Sequence, residues 1–251
     1  MHDISSLNSD RDCLLCHDNN VVQLLDLGLQ PICNRFLAAP SEEEYLHEMV
    51  FGFCQGCGVI QLIDPVPAEE LMPRFDWITY NEPEAHLDQL ATDIWELPSI
   101  NQDSVICGIS FKDDSLLARM RALGVEHTWR IDTRQDLSIT HPGVGVETIQ
   151  GRLTPETARQ IAQNHGQVDV VIVRHILEHA HDPASFIDSV KTLVKPSGYI
   201  VLEVPDCTKS FDSCDYSCPW EEHVLYFTPA TLKRGLALGD MPMVSYASYP
   251  Y

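Results

Sequence analysis

The pattern of apolar and polar positions changes once along the chain. Through residue 75, short apolar runs alternate with turn formers and no long amphipathic helix emerges, the profile of a small domain that needs a staple. From about residue 100 onward, apolar runs alternate with helical patterns. The runs at 105–109, 127–131, 146–149, 168–173 and 199–204 read as strands, with a β-branched bias suited to burial on both faces. Between them 114–123, 154–165 and 182–193 read as helices. Thr154 followed by Pro155, and Asp182 followed by Pro183, are N-cap signals.

Helices of this length between strands imply right-handed crossovers and a parallel sheet, hence a doubly wound, Rossmann-like α/β fold with a small N-terminal domain before it. Residues 80–97 space Leu87, Leu90, Ile94 and Leu97 at helical intervals, which predicts a linker helix packed on the sheet. The expected division is 1–80, a linker helix within 81–100, and a sheet domain over 101–251. A helix at about 229–238 precedes MVSYASYPY, which begins another strand, so the domain is expected to stop short of its last one.

The chain's 251 residues carry 16 basic and 37 acidic side chains, a formal charge of −21 that repels a polyphosphate backbone. Nucleic acid is therefore an unpromising partner, and an anionic substrate would need local cations such as Lys112, Arg130, Arg134 or Arg174. The sequence has no run of 18 apolar residues and no basic, apolar leader, so a cytoplasmic protein without membrane attachment is expected. Nine cysteines in that compartment point to metal ligands or small apolar side chains rather than disulfides.

Cys13-Leu-Leu-Cys16 and Cys54-Gln-Gly-Cys57 are two CxxC knuckles, which together complete a closed tetrahedral S₄ site for structural zinc. Gly58 after the second knuckle allows a tight turn around the metal. A second candidate site is SVICGISFKDDSLL at 104–117, where an apolar run, a glycine and a helix start have the outline of a nucleotide- or adenosyl-cofactor loop.

The segments LGLQPICNRFL, FCQGCGVIQLIDPVPAEEL, DVVIVRHILEHAHDP, GYIVLEVPD and EEHVLYFTPATL stand in this order along the chain. Together they resemble the sugar C-methyltransferases, which join an N-terminal zinc-binding domain to a class I methyltransferase domain. The resemblance agrees with zinc at Cys13, Cys16, Cys54 and Cys57 and implies S-adenosylmethionine at Gly108, Ser110, Asp113 and Asp132; Arg174, at the end of the fourth strand, is expected to join that site as an anion contact. It implies a small-molecule substrate, a nucleotide-linked 4-keto sugar methylated on carbon or a similar small metabolite.

The family's loop is similar to "LEIGSNDGTLL", and here its acidic residue is Gly108 and its two glycines are Ser110 and Asp114, with Asp113 kept. A second expectation therefore stands beside the first: a methyltransferase-like binding protein that has lost catalysis. The "EHxSYF" motif of the family maps onto Glu222 and His223, which implies His223 as base with Glu222 tuning it. His179 matches a family histidine near the substrate and is expected to donate to the developing oxyanion. Trp220 and the segment at 75–79 lack hydroxyls that the family has, and Tyr80 is the expected substitute.

Overall fold

The computed structural model describes residues 12–75, 83–141 and 144–249, and contains two four-stranded sheets. The first is antiparallel: β1 (Val21–Pro31), β2 (Leu46–Cys54) and β3 (Ile60–Leu62) follow one another, and β8 (Leu225–Tyr226) pairs with β3. The EEHVLYF segment of the late region thus completes a sheet begun by the early one. Phe51 and Tyr226 meet edge to face at 5.5 Å within its apolar cluster.

The second sheet is parallel, with β4 (Val105–Gly108), β5 (His127–Arg130), β6 (Val168–Arg174) and β7 (Val194–Glu203) in the order β5-β4-β6-β7. Its pleat sends neighbouring residues to opposite faces. Ile106, Val170 and Ile172 pack under α1 (Leu87–Trp95) and α2 (Asp114–Ala122), through Ala91, Ile94, Leu116 and Met120. Cys107, Val171 and Val173 pack on the other side against Ile161 of α4 (Pro155–His165) and Phe186 and Val190 of α5 (Pro183–Leu193). Both faces are covered, which is why these strands are apolar throughout.

The N-caps form as expected. The Thr154 hydroxyl accepts from Thr157 N at 3.2 Å, and the Asp182 carboxylate accepts from Ser185 N at 3.0 Å. Two expected strands are absent. Residues 146–149 belong to α3 (Val146–Arg152), because Val146, Ile149 and Leu153 recur at helical spacing and all face the core. Extended Gly145 starts that helix. Residues 243–249 form no strand either; Tyr249 lies 4.7 Å from the His86 ring and the segment pairs with no sheet edge.

Two further helices, α6 (Thr208–Ser213) and α7 (Pro229–Leu238), flank β8. Gly235 on α7 admits Leu15: a Cβ there would stand 3.0 Å from the leucine Cδ1, so the early region presses directly on the late one.

Candidate active site and metal centre

The four knuckle cysteines come together. Cys13 and Cys57 Sγ are 3.6 Å apart and Cys16 and Cys54 Sγ 3.5 Å, while all four sulfurs lie within 4.8 Å of one another. Tetrahedral zinc with Zn–S bonds near 2.3 Å spaces its sulfurs about 3.8 Å apart, so the donor set fits that ion. Gly58 has φ +82° and its N–H returns to Cys54 O at 2.8 Å, the tight turn expected after the second knuckle. Cys57 N also points at Cys54 Sγ, and the hydrogen bond from Cys13 pulls the Cys57 thiol below its ordinary pKa.

The loop after β4 closes on itself. Asp113, wholly buried, accepts from the N–H groups of Ile109 (2.7 Å), Ser110 (2.8 Å) and Arg174 (3.1 Å). Burial lifts its carboxyl to about 7 against those three donors and the nearby guanidinium. The Ser110 hydroxyl accepts from Lys112 N, and a Cβ on Gly108 would meet Asp113 Cβ at 2.8 Å. Gly108 is therefore required by Asp113. Ser110 and Asp113 hold the loop's shape from inside.

Arg174, 1 % exposed, is likewise internal: its Nε donates to Glu203 Oε2 at 2.6 Å and its Nη1 to Lys112 O. Its charge serves the network rather than an open anion site. Asp132 is different. It stands exposed just past the end of β5, beside the loop, because Ile131 N bonds Gly108 O. Its carboxylate accepts from Gln135 N at 2.7 Å and Arg134 N at 2.9 Å, and these bonds hold its pKa low. An ionised acceptor at that place suits the ribose hydroxyls of an adenosyl cofactor.

At the C-terminal ends of β6 and β7 lies a buried chain of alternating imidazoles and carboxylates. Glu203 receives His86 Nε2 at 2.8 Å, His175 Nε2 at 3.1 Å and Arg174; His175 Nδ1 then faces Glu178 at 3.5 Å. His175 adopts φ +52°, a left-handed conformation that a non-glycine residue rarely takes, immediately after β6. Burial opposes charge on His175, but Glu178 and Glu203 outweigh it and raise the imidazole to about 9. Burial likewise opposes charge on Glu203, and His175 with Arg174 brings it down to about 2.

The turn Leu177–His179 continues the chain of charges. His179 Nδ1 faces Glu147 Oε1 of α3 at 3.3 Å, and Glu147 and Glu178 hold the imidazole above its ordinary pKa despite burial. The His179 ring meets the His223 ring edge to face at 4.7 Å, and Trp220 leans on His223 at 5.4 Å. Burial, then the charge of His179, lowers His223 to about 4. Its imidazole is neutral at pH 7 and keeps a lone pair.

Glu222 lies in a turn and His223 just after it, as an adjacent acid–base pair requires, but the two side chains meet different partners. Glu222 accepts from Asn34 Nδ2 at 3.0 Å, and Glu221 accepts from Cys33 N. Both donors sit in the loop after β1, so the zinc-stapled sheet grips the turn that carries His223. Tyr80 lies outside the described residues.

Sequence reasoning missed Glu147, Glu178, Glu203, His86 and Asn34. Asn34 stood inside a quoted segment without a role, and Glu178 stood next to His179. Glu147 and His86 carried no signal, since both act across long sequence separations.

Comparison with known proteins agrees with this geometry. Residues 13–72 match a family described as "Putative zinc binding domain", and residues 105–238, over half the chain, match one described as "Methyltransferase domain". The chain belongs to the methyltransferase domain family. It pairs a Rossmann-like parallel sheet with a four-cysteine cluster, and the cofactors of that pairing are S-adenosylmethionine and zinc. A ubiquinone biosynthesis O-methyltransferase of Aeromonas salmonicida (strain A449) is 30 % identical over 118 residues, 41 % of this chain and 49 % of that one. The enzyme of the same name from Acinetobacter baumannii (strain AYE) is 41 % identical over 56 residues, 22 % of this chain and 23 % of that one. The chain thus spans about half the length, or less, of these curated relatives. A solved structure described as "DhpI-SAM-HEP complex" is 17 % identical with TM-score 0.32, over 61 % of this chain and 78 % of that one.

Proposed function

We propose that this methyltransferase domain transfers the methyl group of S-adenosylmethionine to a small-molecule acceptor, in the cytoplasm. The acceptor is a carbon beside the ketone of a nucleotide-linked sugar. One observation carries the reading: a neutral imidazole, His223, stands at the C-terminal edge of the parallel sheet among ionised groups, on a turn held by Glu222 and Asn34. Among the described residues, no helix is long and apolar enough to cross a membrane.

The chemistry follows from the residues. Bound S-adenosylmethionine supplies an electrophilic methyl group, and Asp132 would hold its ribose. His223 takes the proton from the acceptor carbon, a transfer that a positioned base makes about 10²- to 10⁴-fold faster. His179, whose imidazole Glu147 and Glu178 make more basic against the effect of burial, donates a hydrogen bond to the oxyanion that forms. Glu222 fixes the turn, so that His223 keeps its distance from the acceptor.

His223→Ala is the test. Turnover should fall by at least about a hundredfold with little change in melting temperature; full activity in that variant sinks the assignment. A second reading, binding without catalysis, is favoured by the loop, because Asp113 already occupies the N–H groups of Ile109 and Ser110. Binding of S-adenosylmethionine without turnover of any keto sugar supports it.

A further inference from the structure

We infer that Glu178, His179 and His223 form a second metal site, taking a divalent first-row transition ion that prefers nitrogen and oxygen ligands. One ligand atom from each lies within 4.8 Å of the other two. Two imidazoles and one carboxylate are a sufficient set for such an ion and leave coordination positions open.

The case rests on what surrounds Glu178. The residue is 1 % exposed, yet neither carboxylate oxygen accepts a hydrogen bond, and His175 Nδ1 stands off at 3.5 Å. Buried carboxylates are almost always hydrogen-bonded, and one ion pair to His175 at 3.5 Å leaves the lone pairs of Glu178 without a hydrogen-bond donor. A coordinated ion supplies what the donors do not.

The neighbours are arranged as those of a metal ligand are. A ligating histidine commonly gives its second ring nitrogen to a carboxylate, which fixes the ring. His179 Nδ1 stands 3.3 Å from Glu147 Oε1, an ion-pair distance short of hydrogen-bond geometry, and such a carboxylate would orient the ring of a ligating imidazole. The two segments that bring the ligands are tied together, since Val224 N donates to Glu178 O at 2.7 Å. The four-cysteine cluster is a different environment, so thiophilic zinc and a harder ion sort between the two sites.

The consequence rests on His223 being the base. An imidazole whose lone pair is given to an ion cannot take a proton, so occupancy of this site inhibits the deprotonation proposed above. Ion binding itself does not depend on that reading.

Zinc-loaded protein titrated with Mn²⁺, with free Mn²⁺ followed by electron paramagnetic resonance, tests the site. One Mn²⁺ per chain should bind, and Glu178→Gln and His179→Asn should each weaken it by at least about tenfold. In the unaltered protein, bound Mn²⁺ should broaden the His223 ring-proton signals before those of exposed His127. No Mn²⁺ binding to the unaltered protein overturns the site; so does binding that neither folded variant weakens, or that leaves His223 sharp. S-adenosylmethionine binding measured on the same sample fails separately if the methyltransferase reading is wrong.

Discussion

Glu203 shows how one residue decides the local electrostatics, because it draws Arg174, His175 and His86 to the end of β7. Its carboxyl is depressed to about 2, so it contributes stability that is fully present above its unfolded value and is lost as the pH falls through the folded one. Glu203→Gln should therefore cost about 3 kcal/mol at pH 7 by denaturant unfolding. The gap should shrink below about pH 4.5, where the unfolded carboxyl binds its proton. Gly108 makes a steric case: the Cβ of Gly108→Ala would press on Asp113 Cβ and, at 3.1 Å, on Leu117 Cδ1. Asp113 is pinned by three N–H groups, so the loop must shift, costing about 1–3 kcal/mol in the same measurement. At this scale the sequence marked Asp113, Asp132, His179, Glu222 and His223 through their motifs. Glu147 stayed hidden, because its role depends on α3, which read as a strand.

Elements were legible where caps and long periods agreed. Thr154 with Pro155 and Asp182 with Pro183 located α4 and α5, and the spacing of Leu87, Leu90, Ile94 and Leu97 announced α1, which buries Leu87, Ala91 and Ile94. The four residues at 146–149 were too few for period alone to separate strand from helix, and their β-branched side chains favoured the wrong choice. β8 has two residues and gains its partner only through β3, so no local pattern announces it. The zinc cluster makes a prediction about elements. Removing zinc with a chelator should release β1–β3 and, with them, the hold of Cys33 and Asn34 on Glu221 and Glu222. Amide exchange should accelerate through β1–β3 while β4–β7 keep their protection; uniform acceleration in both sheets would contradict that division of labour.

Over the whole molecule, a zinc-stapled antiparallel sheet and a parallel methyltransferase sheet share one turn, which runs from Trp220 to His223 and feeds β8. The fold class was legible because strand and helix patterns, knuckles and quoted segments all pointed the same way. The coupling between the sheets was not, since it runs through contacts nearly 190 residues apart in sequence, from Asn34 to Glu222 and from Cys33 to Glu221. The central claim is that the remodelled loop after β4, with Asp132 beside it, still receives an adenosyl cofactor. Calorimetric titration of the zinc-loaded protein with S-adenosylmethionine tests it most directly. One equivalent should bind with a micromolar dissociation constant, and Asp132→Ala should weaken it by at least about tenfold, since a hydrogen bond to a charged group contributes about 1.5–3 kcal/mol. Folded, zinc-loaded protein that takes up no S-adenosylmethionine would contradict the account.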